Sequence, residues 1–251
     1  MTLRPLLALL LAAAAPAPAS AQTVQAVATH RVEAFRADRA AWAESRAGVQ
    51  ARGPRGALGA ELARVQRNGR ADVTGTVDAY RVLSRTVYAN VRVEAAPRAR
   101  VVPAVSALAE VYWGLAPGWE ASAGVRYLAV TGADVPLATA TATRTSGPFS
   151  LGVRTTAALR PAVTVSAAAT VRYAPEAAAR GVPTRVALVL GQGQEGVVAT
   201  DGAVTVRRQV VAAVYGQRGL AGPVGVSAGA GYTADGALTR WSAEAGLVVR
   251  F

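Results

Sequence analysis

From Trp241 to Phe251 the chain alternates without interruption. Trp241, Ala243, Ala245, Leu247, Val249 and Phe251 fall on one face of an extended strand, and Arg240, Ser242, Glu244, Gly246, Val248 and Arg250 on the other. A strand buried in a soluble core does not set Glu and Arg opposite a face closed by an aromatic at each end. A strand with lipid on one side and water on the other does. At ~3.3 Å per residue and a tilt of ~40°, the separation of Trp241 and Phe251 spans roughly 25 Å, the height of an outer-membrane apolar band.

The same period recurs upstream. Trp119, Ala121, Ala123, Val125 and Tyr127 oppose Glu120, Ser122, Gly124 and Arg126, and Val87, Ala89, Val91 and Val93 oppose Asn90, Arg92 and Glu94. Val163, Val165, Ala167, Ala169, Val171 and Tyr173 oppose Thr164, Ser166, Thr170 and Arg172. The pattern predicts strands near 30–37, 40–52, 55–67, 71–82, 86–96, 102–115, 118–130, 135–145, 148–159, 163–174, 184–192, 204–218, 223–233 and 239–251, with no helix of convincing length. The fold class is therefore all-β: a transmembrane antiparallel up-and-down barrel of about fourteen strands, with twelve as the alternative. A soluble β-sandwich is the competing architecture, disfavoured by charges at strand centres.

Turn chemistry supports the count. With the N-terminus in the periplasm, Gly53-Pro54, Pro117-Gly118, Gly147-Pro148 and Gly222-Pro223 all fall at short periplasmic reversals. The longest connection, around Gly193 to Ala203, falls on the outer side. Ala174 to Pro183 is the exception, long and periplasmic, so it is either an excursion or a sign of shifted register.

Arg4, the apolar run Leu6 to Ala15 and the small-residue site Ala19-Ser20-Ala21 predict a secretory signal peptide over 1–21. The barrel then occupies 22–251, starting at Gln22, in the bacterial outer membrane. A mean hydropathy of +0.26 without a later helix-length apolar stretch demands many thin, alternating strands. Cysteine is absent, which suits an exported barrel with no sheet edges.

The formal net charge of +12 comes from arginine alone. These arginines are dispersed singly, so they lack the patch expected for nucleic acid, and no nucleic-acid partner is expected. Catalysis is not expected either: the single histidine, His30, precedes the first confident strand and is read as a solvated terminal residue without a nucleophile or orienting acid. No spacing suggests a metal or cofactor. Gly191-Gln-Gly-Gln-Glu-Gly196 resembles a phosphate loop superficially, but no helix follows, and it is read as a surface loop.

By parity, Glu44, Arg46, Asp78, Arg92, Glu94, Glu110, Glu120, Arg126, Arg154, Arg172, Arg207, Glu244 and Arg250 line the lumen. Trp113, Trp119, Tyr127, Tyr173, Tyr232, Trp241 and Phe251 supply membrane-interface girdles. The inward charges either line a water-filled, anion-favouring pore or neutralise one another in a filled lumen. Fourteen strands give a backbone diameter of roughly 28 Å and a bore of about 10 Å, which permits a channel.

Asp78-Ala79-Tyr80, Tyr88, Glu110-Val111-Tyr112, Leu115 and Gly118-Trp119-Glu120-Ala121-Ser122-Ala123-Gly124-Val125-Arg126-Tyr127-Leu128 together resemble the YaiO-type outer-membrane β-barrel family. The chain departs from the family pattern at Arg81, where a proline is usual, and at Thr139 to Arg144, where an aromatic-rich strand is usual. The resemblance implies fold and location. It also implies a possible envelope or polysaccharide-pathway partner. The other expected partners are outer-membrane lipids and the barrel-insertion machinery, which would read the strand ending in Phe251. The resulting expectation is a porin-like or accessory transport protein for small anionic or glycan-like solutes. The alternative is a closed-lumen assembly protein that acts through an envelope partner at Ala174–Pro183.

Overall fold

The computed structural model describes residues 23–36, 40–130, 132–160, 162–175, 181–198, 204–220, 222–235 and 238–251. The signal-peptide reading lies outside them. Fourteen strands form: β1 (Thr23–Phe35), β2 (Trp42–Gly53), β3 (Gly56–Arg67), β4 (Arg70–Val82), β5 (Val87–Ala95), β6 (Val105–Ala116), β7 (Trp119–Val130), β8 (Ala133–Ser146), β9 (Phe149–Ala158), β10 (Thr164–Tyr173), β11 (Arg185–Val198), β12 (Val204–Gly219), β13 (Val224–Ala234) and β14 (Thr239–Arg250). Each pairs antiparallel with its sequence neighbours, and β1 pairs with β14 to close the barrel. The closing ladder runs from Gln25↔Arg250 to Phe35↔Arg240. Closure leaves no unpaired edge, the condition for placing sheet in lipid.

β1 begins and β14 ends on one rim, called here the terminal rim; the other is the far rim. Register carries the sidedness round the wall, because partners in an antiparallel ladder share a face. Glu244 pairs with Arg31, Arg31 with Glu44, and Glu44 with Val65, and all point inward. The strands are tilted, so a cross-strand row climbs. The row that starts at Phe149 on the terminal rim passes Tyr173, Val186 and Ala245, reaches His30, and continues through Ser45 to Arg64 near the far rim.

The Gly-Pro and Pro-Gly signals form the reversals β2–β3, β6–β7, β8–β9 and β12–β13, all on the terminal rim. On the far rim, Arg67 and Arg70 are joined by Asn68-Gly69, with φ of 50° and 73°. That is the left-handed pair a two-residue hairpin requires, and Asn-Gly supplies it at least cost.

Three expectations need correction. β1 starts at Thr23, well before position 30, so His30 lies within the strand rather than ahead of it. Its side chain is on the outer wall, with Nδ1 2.9 Å from Ser45 Oγ. Gly191 to Gly196, read as a loop, is strand: β11 continues to Val198 and stays paired with β12 throughout. The long outer connection therefore shrinks to 199–203. The ladder between β10 and β11 also shows that the Ala174–Pro183 connection leaves the register unshifted.

Candidate functional site

All thirteen charged positions named from parity lie on the inner face by the observed register. They do not form one site. Three groupings result, set by which strands are adjacent.

The first is a compensated network on β2, β3 and β5. Arg46 bonds Glu44 at 2.5 Å and Glu61 at 3.0 Å, while Arg92 stands 4.0 Å from Glu61 and 3.9 Å from Glu94. Glu61 was not among the predicted residues: β3 carries charges on both faces, Glu61 and Arg67 inward and Arg64 outward, so charge did not phase the strand. Beside the network, Asn90 Nδ2 donates to Asp78 Oδ2 at 3.1 Å. A cavity of ≈ 240 Å³ is lined here by Gln25, Gln50, Glu61, Asp78 and Arg92.

The second is an aromatic and carboxylate cluster on β4 to β9. Tyr80, Tyr88 and Tyr112 face inward from adjacent strands. Their rings pack in series, tilted with centroids 4.8 Å apart for Tyr80 and Tyr88 and stacked at 4.5 Å for Tyr88 and Tyr112. The Tyr88 hydroxyl donates to Glu120. Glu110 is only 2% exposed; it accepts from Ser122 Oγ at 2.6 Å and from Arg154 at 3.2 Å. Arg126 donates from Nε and Nη2 to Ser106 Oγ at 3.2 and 3.0 Å. Most polar members of the cluster, Asp78, Tyr80, Tyr88, Glu110, Tyr112, Glu120 and Ser122, belong to the block that carries the family resemblance. Its alternate positions converge on one inner surface.

The third is a group of arginines at the terminal mouth. Arg52 near the end of β2, Arg172 near the end of β10 and Arg185 at the start of β11 all stand at the terminal rim, and Arg172 and Arg185 line one cavity. Among the described residues none of the three is in an ion pair; Arg185 Nη2 donates to Gln217 at 2.8 Å and Arg52 Nε to Gln50 at 3.0 Å. A cavity of ≈ 400 Å³ lies here, lined by Thr29, Arg172, Arg185, Tyr215, Gln217 and Glu244. Arg207 stands apart from these groups, toward the far end of β12. Arg52 and Arg185 sit at strand ends, where alternation is hardest to phase, and sequence reading missed them.

Both mouths are narrowed by chain folded inward. At the far mouth the Asp72 Oδ2 accepts the backbone N–H groups of Arg100, Val101 and Val102 at 2.8, 2.7 and 3.1 Å, drawing the β5–β6 connection onto the inner wall. Trp42 also lies here, with the Arg67 and Arg240 guanidinium carbons 4.8 and 5.6 Å from its ring centre. At the terminal mouth Val182 is buried. Arg250 Nη1 donates to Gly181 O at 2.8 Å and Gln217 Nε2 to Pro183 O at 3.0 Å. Val182 fits because Gly225 has no side chain; a Cβ there would lie 2.6 Å from Val182 Cγ1.

The seven aromatics expected at the interface lie on the outer wall in two belts: Trp113, Trp119, Tyr173 and Phe251 toward the terminal rim, Tyr127, Tyr232 and Trp241 toward the far rim.

With this geometry in place, the model of the YaiO membrane beta barrel domain matches residues 24–187. The chain belongs to that family. No curated protein sequence matches it. Among solved structures it is similar to the Acinetobacter baumannii outer membrane protein Omp33, with a TM-score of 0.55 and 12% identity over 92% of this chain and 100% of that one. It is also similar to a bacterial polysaccharide outer membrane secretin (TM-score 0.52, 11% identity, 91% of this chain and 98% of that one). Pseudomonas aeruginosa OpdL gives a TM-score of 0.50 at 8% identity, over 91% of this chain and 98% of that one. At these identities the likeness is one of fold: a closed barrel of the outer-membrane type.

Proposed function

We propose that this YaiO-family barrel is a passage of the bacterial outer membrane for small anionic solutes, glycan-like ones included. The observation that carries the reading is the cationic excess at the terminal mouth, where Arg172 and Arg185 line one cavity with Glu244, Arg52 ends β2 on the same rim, and among the described residues none of the three arginines is in an ion pair. Elsewhere on the inner wall arginine and glutamate largely neutralise each other. A cationic excess at a mouth raises the local concentration of anions and sets selectivity. The packed rings of Tyr80, Tyr88 and Tyr112, with Asp78 and Asn90 alongside, offer ring faces and hydrogen-bonding groups suited to a hydroxylated solute. The reading includes export by a leader cleaved after Ala21 and insertion through the Phe251 strand, and it assigns no catalytic step, cofactor or metal.

The test is single-channel recording of the refolded mature protein in a planar bilayer under a salt gradient. Steady steps with anion preference are expected, and Arg172→Glu with Arg185→Glu should turn the reversal potential toward cations. Selectivity unmoved by the double variant would remove these arginines from the passage. A second reading is favoured by the inward folds at Asp72 and Val182: a closed barrel that works through an envelope partner. Silence from correctly folded, heat-modifiable protein would select it.

A further inference from the structure

The outer wall of β1 to β3 carries a polar row. His30, Ser45 and Arg64 are direct cross-strand partners, His30↔Ser45 and Ser45↔Arg64, and all three are exposed on the lipid side. Their neighbours on that wall are mostly small or apolar: Val32 and Ala43 toward the far rim, Ala28, Ala47 and Leu62 toward the terminal rim. Polar side chains facing hydrocarbon are costly and mark a site by default. Height orders the three. Arg64 lies four residues before Asn68 of the far-rim hairpin, at the level of the far-rim aromatics, and the strand tilt sets His30 roughly 6 Å deeper.

Immediately below the row the wall is hollowed. A concavity of ≈ 760 Å³ is lined by Ala28, Ala47, Ala60, Leu62, Gly75 and Leu247, among others. Its depth comes from small residues facing outward side by side on successive strands. At Gly75 an added Cβ would meet only Leu62 Cδ2, at 3.8 Å.

We propose that this wall binds a phosphate-bearing, multi-chain bilayer lipid. The acyl chains lie in the hollow, the hydrogen-bonded His30 and Ser45 meet the polar linkages above them, and the Arg64 guanidinium pairs with the phosphate. Charge decides for lipid over a second copy of the chain. Among the described residues the only carboxylate on the outer strand wall is Asp134, on β8 across the barrel, where it already accepts from the Tyr127 hydroxyl at 2.6 Å. A two-fold contact through β1–β3 would therefore bring Arg64 against no anion. The pair is a binding element and not a catalytic dyad, because no carboxylate stands beside His30 on that wall to orient it.

The experiment is native mass spectrometry of the purified full barrel with added lipid A, a phosphorylated multi-acyl glycolipid, and with the same glycolipid stripped of phosphate. Wild type should retain lipid A. Arg64→Glu should lower retention about fivefold or more, the loss of one cation at an anionic lipid surface. Ala47→Phe, which fills the hollow with apolar volume and leaves the lipid face apolar, should lower it as well. Arg64→Lys should keep it, and the dephosphorylated lipid should not distinguish wild type from Arg64→Glu. Equal retention of lipid A by wild type, Arg64→Glu and Ala47→Phe would overturn the proposal. So would a lipid-free dimer abolished by Arg64→Glu, which would assign the wall to a second copy.

Discussion

At the residue scale, the inner wall shows how a closed lumen turns isolated charges into partners. Glu110 and Arg154 are far apart in sequence and on strands that do not pair, yet their side chains meet at 3.2 Å because β6 to β9 curve round the same space. Glu110 is nearly inaccessible, and its carboxylate accepts from Arg154 and Ser122. Glu110→Ala should lower stability by about 1–3 kcal/mol, by leaving the arginine and the hydroxyl without their acceptor. Urea unfolding in lipid vesicles reads this directly, and an unchanged midpoint would mean that the pair holds nothing. Parity placed both residues on one face; it had no means of pairing them. The inner tyrosines were harder still. An aromatic ring with a hydroxyl suits a membrane girdle as well as a lumen, so residue type did not separate Tyr88 from Tyr127.

At the scale of elements, strands were legible where each face had a consistent chemistry. β7 and β14 are of this kind. β11 is not: from Gly191 to Gly196 neither face is apolar, and the segment is extended because β12 supplies a continuous ladder. β1 was misplaced for a related reason, since His30 interrupts its outer face and hides the alternation that begins at Thr23. The connections carry their own consequence. Three backbone N–H groups on one Asp72 oxygen hold the β5–β6 connection inside the far mouth. Asp72→Ala removes that anchor, and the single-channel conductance is expected to rise and to become noisier as the connection leaves the wall. Conductance identical to wild type would show that the far mouth does not limit flow.

At the scale of the molecule, the barrel is held by its seam. β1 meets β14 along its length, and Phe251 completes the ladder: its N–H donates to Val24 O at 2.7 Å and its carbonyl accepts from Val24 N at 3.2 Å. Deleting Phe251 removes both bonds and an aromatic of the terminal belt. The fraction of heat-modifiable, folded barrel recovered from outer membranes should fall; recovery equal to wild type would place closure and insertion upstream of this residue.

What the sequence by itself determined is the sidedness of most of the chain: alternating segments such as β7 and β14, the faces that meet water and lipid there, and the turn residues between them. These follow from local rules, because the pleat has a period of two and the cost of an arginine in lipid phases it. Tertiary structure decided everything that depends on which strands become neighbours. Closure set Arg52, Arg172 and Arg185 round one mouth, side chains of the inner wall drew Val182 and the β5–β6 connection inward, and the register of β1, β2 and β3 lined up His30, Ser45 and Arg64 on one wall. None of these relations has a local signature, since each joins residues whose spacing in the chain is set only by the register and tilt of the closed sheet.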